Sequence, residues 1–494
     1  MVSARTESRH PIGWLTVGAK HVASALISIV TVVAVSACGH TVVAGRALSA
    51  RFDPQRVSGL AVSDGPSGPR SDGPAPTGRV VNTDDGSFDR LALLAVNDVE
   101  SFWKMQYPKS FGEQLKPVSR LVSSDGDELT GYTLCGSPEG NAMYCTIDNS
   151  IGWDRSQETG LVPPALPFFG AIGVAGVFAH EYGHAIQFQT GLPIRTATLM
   201  KEQQADCYAG VYMRWVADGD STRFVVSTGD GLNHLLAGLL ALRDRQSGSD
   251  DPDVFLQQHG TGLDRVSAFQ LGFEQGAHAC SLIDRAEIDR RRGDLPHNLF
   301  DPRSTNSDMP IDQKTLATLG EELEKILQPA KPPALTIGGA SCSGGRPAGI
   351  AAYCPDTNTV AIDLPALQQI GTPADEHSHR LLQGDNTAIS LIASRYVLAI
   401  EHERELPLDT PQAAMRTACL TGVTQRVMAQ PISLPSGQGL TLGAGDLDEA
   451  VAGLLTNGTV ASDVNDTPLP AGFTRIAAFR IGILGTADDC FRRF

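Results

Sequence analysis

Eight cysteines, Cys135, Cys145, Cys207, Cys280, Cys342, Cys354, Cys419 and Cys490, fall into two sets of four, and the members of the second set stand 207, 209, 212 and 210 residues after those of the first. So nearly constant an offset marks an internal duplication, which requires one scaffold to be built twice. The neighbours of the cysteines repeat as well. Tyr144-Cys145 with Asp154 beyond it is matched by Tyr353-Cys354 with Asp363 at the same distance, and Arg265, Phe269, Gly272 and Cys280 recur as Arg475, Phe479, Gly482 and Cys490 with identical gaps. Each half opens on a plausible amphipathic helix, FDRLALLAVNDVESFW at 88–103 and DQKTLATLGEELEKIL at 312–327. Coincidental matches between two cysteine-rich halves are the competing reading.

Counting alone cannot choose among the connectivities that eight cysteines allow. A duplicated chain should close its disulfides within each half, and the simplest pairing is Cys135 with Cys145, Cys342 with Cys354, Cys207 with Cys280, and Cys419 with Cys490. A closed loop of roughly 70 residues removes unfolded-state entropy on the order of 4 kcal/mol. Free cysteines are the alternative, and export argues against them.

The argument for export lies at the N-terminus. Arg5, Arg9 and Lys20 precede an uncharged run from Val22 to Ala37, short for a spanning helix, which ends in Val35-Ser36-Ala37-Cys38-Gly39. That ending resembles a bacterial lipobox. Residues 1–37 therefore read as a lipoprotein signal peptide, with Cys38 the lipidated first residue of a protein held at the cell membrane on its extracytoplasmic side; a signal anchor with an ordinary buried cysteine is the blander reading. The stretch SDGPSGPRSDGPAPTG at 63–78 is dominated by Ser, Asp, Gly and Pro and cannot build a core, so 38–86 reads as a disordered tether. A formal net charge of -16 opposes binding to phosphate backbones, and nucleic acid is not an expected partner.

In VFAHEYGHAIQ, residues 177–187, His180 and His184 stand four apart, so a helix puts both on one face within reach of a single zinc ion. Glu181, beside the first ligand, is the candidate general base. The preceding run, 162–179, is uncharged but carries Pro163, Pro164, Pro167 and several glycines, which points to a buried active-site helix beginning inside it and not to a membrane span. A catalytic zinc needs a third protein ligand and one open position. KEQQADCYAGVYMRWV at 201–216 reads as a second helix, with Glu202 placed to complete a His, His, Glu set and Asp206 to accept a hydrogen bond from a ligand histidine and hold its tautomer. Alone, an i, i+4 carboxylate pair is more often a solvated face. His259 is the first candidate donor to the oxyanion and Tyr208 the second.

On AHEYGHAIQ, EQQADCYAG, MYCTIDNSIGWD and QQHGTGLDRVSAFQLGFEQG, spread over residues 95 to 282, the chain resembles the putative neutral zinc metallopeptidase family, a gluzincin-like bacterial group, and its layout is similar to that of actinobacterial lipoprotein peptidases. The resemblance implies His180, His184 and Glu202 as zinc ligands, Glu181 as base, and a peptide or protein as substrate. The glycine-rich helix before the motif departs from the family pattern, as does the whole second half.

Aligning Leu192-Pro193 with Leu406-Pro407 sets Ser394, Arg395, Tyr396, Val397 and Leu398 opposite HEYGH, while Ala414 stands opposite Glu202 and Ala418 opposite Asp206. The expected fold is α+β: a zincin-like, mostly helical metallopeptidase domain at 87–285, a linker at 286–310, and a degenerate, metal-free copy at 311–494. The expected function is zinc-dependent endopeptidase. A non-catalytic lipoprotein docking module with a structural or vestigial metal is the alternative, and it would need a fourth protein ligand.

Overall fold

Two disulfide-stapled hairpins organise the sheets of the computed structural model, which describes residues 53–126, 131–138, 140–157, 162–243, 259–299, 309–339, 342, 349–374, 381 and 383–494. The signal segment and Cys38 lie outside the described residues. In the first half, β1 (Val80–Val81), β2 (Arg120–Ser124), β3 (Ala142–Cys145) and β4 (Ser150–Asp154) form a sheet in the order β1-β2-β4-β3. The antiparallel hairpin β3/β4 sets Tyr144 opposite Ile151, and β2 runs parallel to β4. In the second half, β5 (Ala334–Ile337), β6 (Ala351–Cys354) and β7 (Thr359–Ile362) are ordered β6-β7-β5, with Tyr353 opposite Val360 in the antiparallel hairpin and β5 parallel to β7. Both hairpins turn through an asparagine in the left-handed region, Asn149 (φ 50°) and Asn358 (φ 47°), a conformation asparagine tolerates. The Tyr144 hydroxyl donates to Asn149 Oδ1 and the Tyr353 hydroxyl to Asn358 Oδ1, each at 3.0 Å.

The longer helices of the first half are α1 (Ser87–Phe111), α2 (Val162–Gln189), α3 (Thr198–Ala217), α4 (Asp230–Ala241) and α5 (Gly262–Gln275). Those of the second are α6 (Gln313–Leu327), α7 (Asp385–Glu403), α8 (Pro411–Met428), α9 (Ala444–Thr456) and α10 (Gly472–Leu484). A break at Gly170 (φ 69°, ψ 175°) divides α2, confining Pro163, Pro164 and Pro167 to the part before it. The part carrying HEYGH then runs unbroken through the core, with Val174, Ala175, Phe178, Ala179, Tyr182 and Ile186 buried. No helix among the described residues is long and apolar enough to cross a membrane.

Helices α3 and α5 touch backbone to backbone: a Cβ at Gly272 would lie 1.8 Å from the Cys207 carbonyl oxygen. The same holds for α8 and α10, where a Cβ at Gly482 would lie 1.7 Å from the Cys419 carbonyl oxygen. Four disulfides close within the halves, Cys135–Cys145 and Cys207–Cys280 in one, Cys342–Cys354 and Cys419–Cys490 in the other.

The halves do not keep separate cores. Leu236, Phe269 and Phe273 share a cluster with Leu447, Phe473 and Phe479, the Phe273 and Phe473 rings lie 5.0 Å apart, and Gln270 Nε2 donates to the Phe473 carbonyl at 3.0 Å. A smaller cluster lies under α6, α7 and the second hairpin.

Two segments differ from the sequence expectation. Residues 53–86, read as tether, are folded: Gly68–Pro69 pairs with Phe224–Val225, Val80 and Val81 pair with β2, and the Ser63 and Ser67 hydroxyls lie 3.2 Å from those of Thr228 and Ser227. Their composition cannot create a core, but it can lay hydroxyls and backbone along one built elsewhere. In the supposed linker, Arg285–Arg292 is a helix whose Arg292 pairs with Asp264 at 2.6 Å.

Candidate metal centre

Helix α2 brings His180, Glu181 and His184 to a face that α3 meets at very short range. A Cβ at Gly183 would lie 2.9 Å from the Ala205 carbonyl oxygen, so the small residue between the two histidines lets the helices close until Glu202 reaches both rings. Glu202 Oε2 lies 3.2 Å from His180 Nε2, and Glu202 Oε1 lies 3.6 Å from His184 Nε2. Donors held about 2.1 Å from one zinc ion at tetrahedral angles stand about 3.4 Å apart. The three donor atoms lie within 4.8 Å of one another, and Glu202 Oε2 is buried without a well-aligned hydrogen bond. This donor set fits zinc with a position left open.

Each histidine of this set is oriented through its second nitrogen. His180 Nδ1 lies 2.8 Å from Asp206 Oδ1, and His184 Nδ1 lies 3.1 Å from Gln187 Oε1, whose amide nitrogen in turn donates to the Lys201 carbonyl. Asp206, fully buried, is gripped by Arg265 from α5, Nε to Oδ2 at 2.9 Å and Nη2 to Oδ1 at 2.8 Å. Burial alone would raise the Asp206 pKa, but the charges of Arg265 and His180 hold it below its ordinary value. Burial would likewise lower that of His180, but the charge and hydrogen bond of Asp206, with Glu202, drive it up to about 10. Burial lowers His184, and the two histidines hold Glu202 far below the usual carboxylate range against its own burial. The carboxylates of Asp206 and Glu202 thus favour positive charge on this face, the condition that a metal cation meets.

Glu181 is 7 % exposed and lies near the backbone of Tyr144 in the edge strand β3, which favours its charged form. Burial, reinforced by the Glu202 charge, raises its pKa to about 7, so the carboxyl exchanges a proton near neutrality. His259 stands at the rim, its Nε2 3.9 Å from Glu202 Oε2 and its side chain 31 % exposed, so it can face a substrate. Tyr208 cannot. It is fully buried, its ring packed edge-on against Trp103 and Phe111, because two residues beyond Asp206 the helix has turned away from the metal face.

The positions that the sequence alignment sets opposite this site carry no such donors, although Asp385, Asp446 and Glu449 elsewhere in the second half bring carboxylate oxygens within 4.8 Å of one another. Ser394, Leu398, Ala414 and Ala418 are buried, and Ser394 Oγ donates to the Leu391 carbonyl. Arg475, which the sequence repeat sets opposite Arg265, donates to the carbonyls of Leu469 and Leu454.

Sequence reasoning missed Gln187 as the partner of His184, and it marked Arg265 only as a repeated scaffold residue. Arg265 lies 59 residues from the carboxylate it holds, and no local spacing rule connects them.

Residues 42–282 match the family described as putative neutral zinc metallopeptidase. Over 228 residues, 42 % of this chain and 74 % of each relative, the chain is 27 % identical to the uncharacterized protein Rv2575 of Mycobacterium tuberculosis and to the uncharacterized protein Mb2605 of Mycobacterium bovis. No solved structure matches it. The two histidines, two glutamates and supporting aspartate of the site all lie inside residues 42–282, the segment by which this chain resembles the putative neutral zinc metallopeptidase family.

Proposed function

We propose that the chain is a zinc-dependent endopeptidase of the cell envelope, lipid-anchored through Cys38, whose first half hydrolyses peptide bonds and whose second half is a degenerate, metal-free copy. The observation that carries the catalytic reading is the convergence of His180, His184 and Glu202 within 4.8 Å, with Glu181 buried next to them. Zinc held by these residues supplies a Lewis acid and lowers the pKa of water. Glu181 takes the proton from the attacking water and returns it to the leaving amine. His259 donates to the oxygen of the tetrahedral species from the rim. An extended peptide lies along β3, the open edge of its sheet, adding a strand beside Glu181.

The copy is supported by the matched hairpins, disulfides and helix contacts, and its loss of chemistry by buried Ser394, Leu398 and Ala414. Anchoring rests on the lipobox-like Val35-Ser36-Ala37-Cys38. The purified protein should carry about one zinc per chain and cleave peptides, and Glu181→Gln should keep the zinc while losing cleavage. Cleavage undiminished in that variant, or no zinc in the wild type, sinks the catalytic reading. Cys38→Ser should leave an unlipidated precursor, and the same lipidated species in both would sink the anchoring.

A further inference from the structure

The second half lends the first a carboxylate. Asp448, on α9, is 1 % exposed, and it accepts from the backbone N–H groups of Gly262 (Oδ2) and Leu263 (Oδ1), both at 2.9 Å, at the start of α5. Thr261 Oγ1 accepts from the Asp264 N–H at 3.1 Å. The first turn of a helix has no internal acceptors for its N–H groups, so two of the three donors satisfied here depend on a residue some 185 positions away. The Arg243 guanidinium also lies against Asp448, with Nε 3.0 Å from Oδ2. The seat is tight, since a Cβ at Gly262 would lie 3.2 Å from the Asp448 carboxyl carbon.

The supports of the metal centre hang on that helix start. His259 lies just before the Thr261 cap, and Arg265 one turn into the helix. Arg265 holds both oxygens of Asp206 and also donates to the carbonyl of Leu242, the neighbour of Arg243, while Asp206 holds His180. A closed circuit therefore runs from Asp448 through the α5 start to Arg265, across to Leu242 and Arg243, and back to Asp448. If the α5 start shifted, Arg265 and His259 would move with it.

We propose that Asp448 is a positioning residue for the metal centre: by fixing the start of α5 it sets the Arg265 grip on Asp206 and the place of His259, so the second half is needed by the metal centre of the first. This inference rests on the zinc peptidase reading of the site.

The test uses the full chain, with zinc affinity measured by chelator competition, kcat and KM on a quenched-fluorescent peptide, and Tm. The variants are Asp448→Asn, Asp448→Ala and, as a control, Thr410→Ala. Thr410 accepts from the Ala413 N–H at 3.2 Å and caps α8, so its loss removes a helix cap of the second half without touching α5. Asp448→Ala should weaken zinc binding and lower kcat about tenfold each, as loss of indirect support for a metal ligand does. KM should hold within about twofold, Asp448→Asn should fall between, and Thr410→Ala should lower Tm alone. If Asp448→Ala does not fold, the near-isosteric Asp448→Asn decides. Wild-type zinc affinity and kcat in the folded Asp448 variants overturn the proposal alone, as does an equal loss in Thr410→Ala, which would tie the effect to stability. A wild type that takes up no zinc overturns the peptidase reading and this inference with it.

Discussion

Arg265 holds Asp206 through two parallel hydrogen bonds, Nε to Oδ2 at 2.9 Å and Nη2 to Oδ1 at 2.8 Å, and it is this clamped oxygen Oδ1 that meets His180. A bidentate guanidinium–carboxylate pair is directional, so the carboxylate plane, and with it the imidazole ring, has one orientation. At the positions that the sequence repeat sets opposite these two stand Arg475 and Ala418, and the Arg475 guanidinium donates to backbone carbonyls.

Asp206→Ala should therefore weaken zinc binding by roughly 10- to 100-fold, because His180 loses the acceptor that fixes its tautomer. It should also destabilise the fold by about 3–5 kcal/mol, since the buried Arg265 guanidinium loses the carboxylate that balances its charge. Chelator competition and denaturant unfolding measure the two effects separately.

The base and the third ligand should separate by their failures. Glu181→Gln should lower kcat by roughly 10²- to 10⁴-fold with zinc content near wild type, whereas Glu202→Ala should lose the metal as well as the activity. Zinc content by mass spectrometry beside peptide kinetics gives the contrast. Full zinc retention in Glu202→Ala would transfer the ligand role to His259.

The matched glycines predict matched damage. Gly272→Ala must force α3 from α5, and Gly482→Ala must force α8 from α10, because in each case the added carbon meets a carbonyl oxygen that belongs to a disulfide-bonded cysteine. Each substitution should cost about 3 kcal/mol in chemical unfolding. Only the first should also lower zinc affinity, since α3 carries Glu202.

Glu322 makes stability fall as pH rises. It is fully buried, its Oε2 accepts from the Leu440 N–H at 3.1 Å, and burial raises its pKa to about 7 from an ordinary 4.5. Between those values the folded chain holds a proton that the unfolded chain has released, so this contribution is full below pH 4.5 and is lost as pH rises through 7. Thermal melts from pH 5 to pH 8 should show a falling Tm, and Glu322→Gln, which stays neutral, should flatten the slope. An unchanged slope in the variant would place the titration elsewhere.

The residues that meet at the candidate site were legible in the sequence, because a helix places residues four apart on one face whatever lies around it: His180 with His184, Glu202 with Asp206. The starts of the first helix of each half and the cysteine offsets were legible for a like reason, being matters of local pattern and count. What only the tertiary structure decided is which distant groups answer them. Arg265 reaches Asp206 across 59 residues and Asp448 caps Gly262 across 186, and neither follows from spacing. Tyr208 looked available until the packing of Trp103 and Phe111 closed over it. Residues 53–86 read as unable to fold because composition measures what a segment can bury by itself; it says nothing of the surface that α4, β2 and the Phe224–Val225 strand offer it once they have packed.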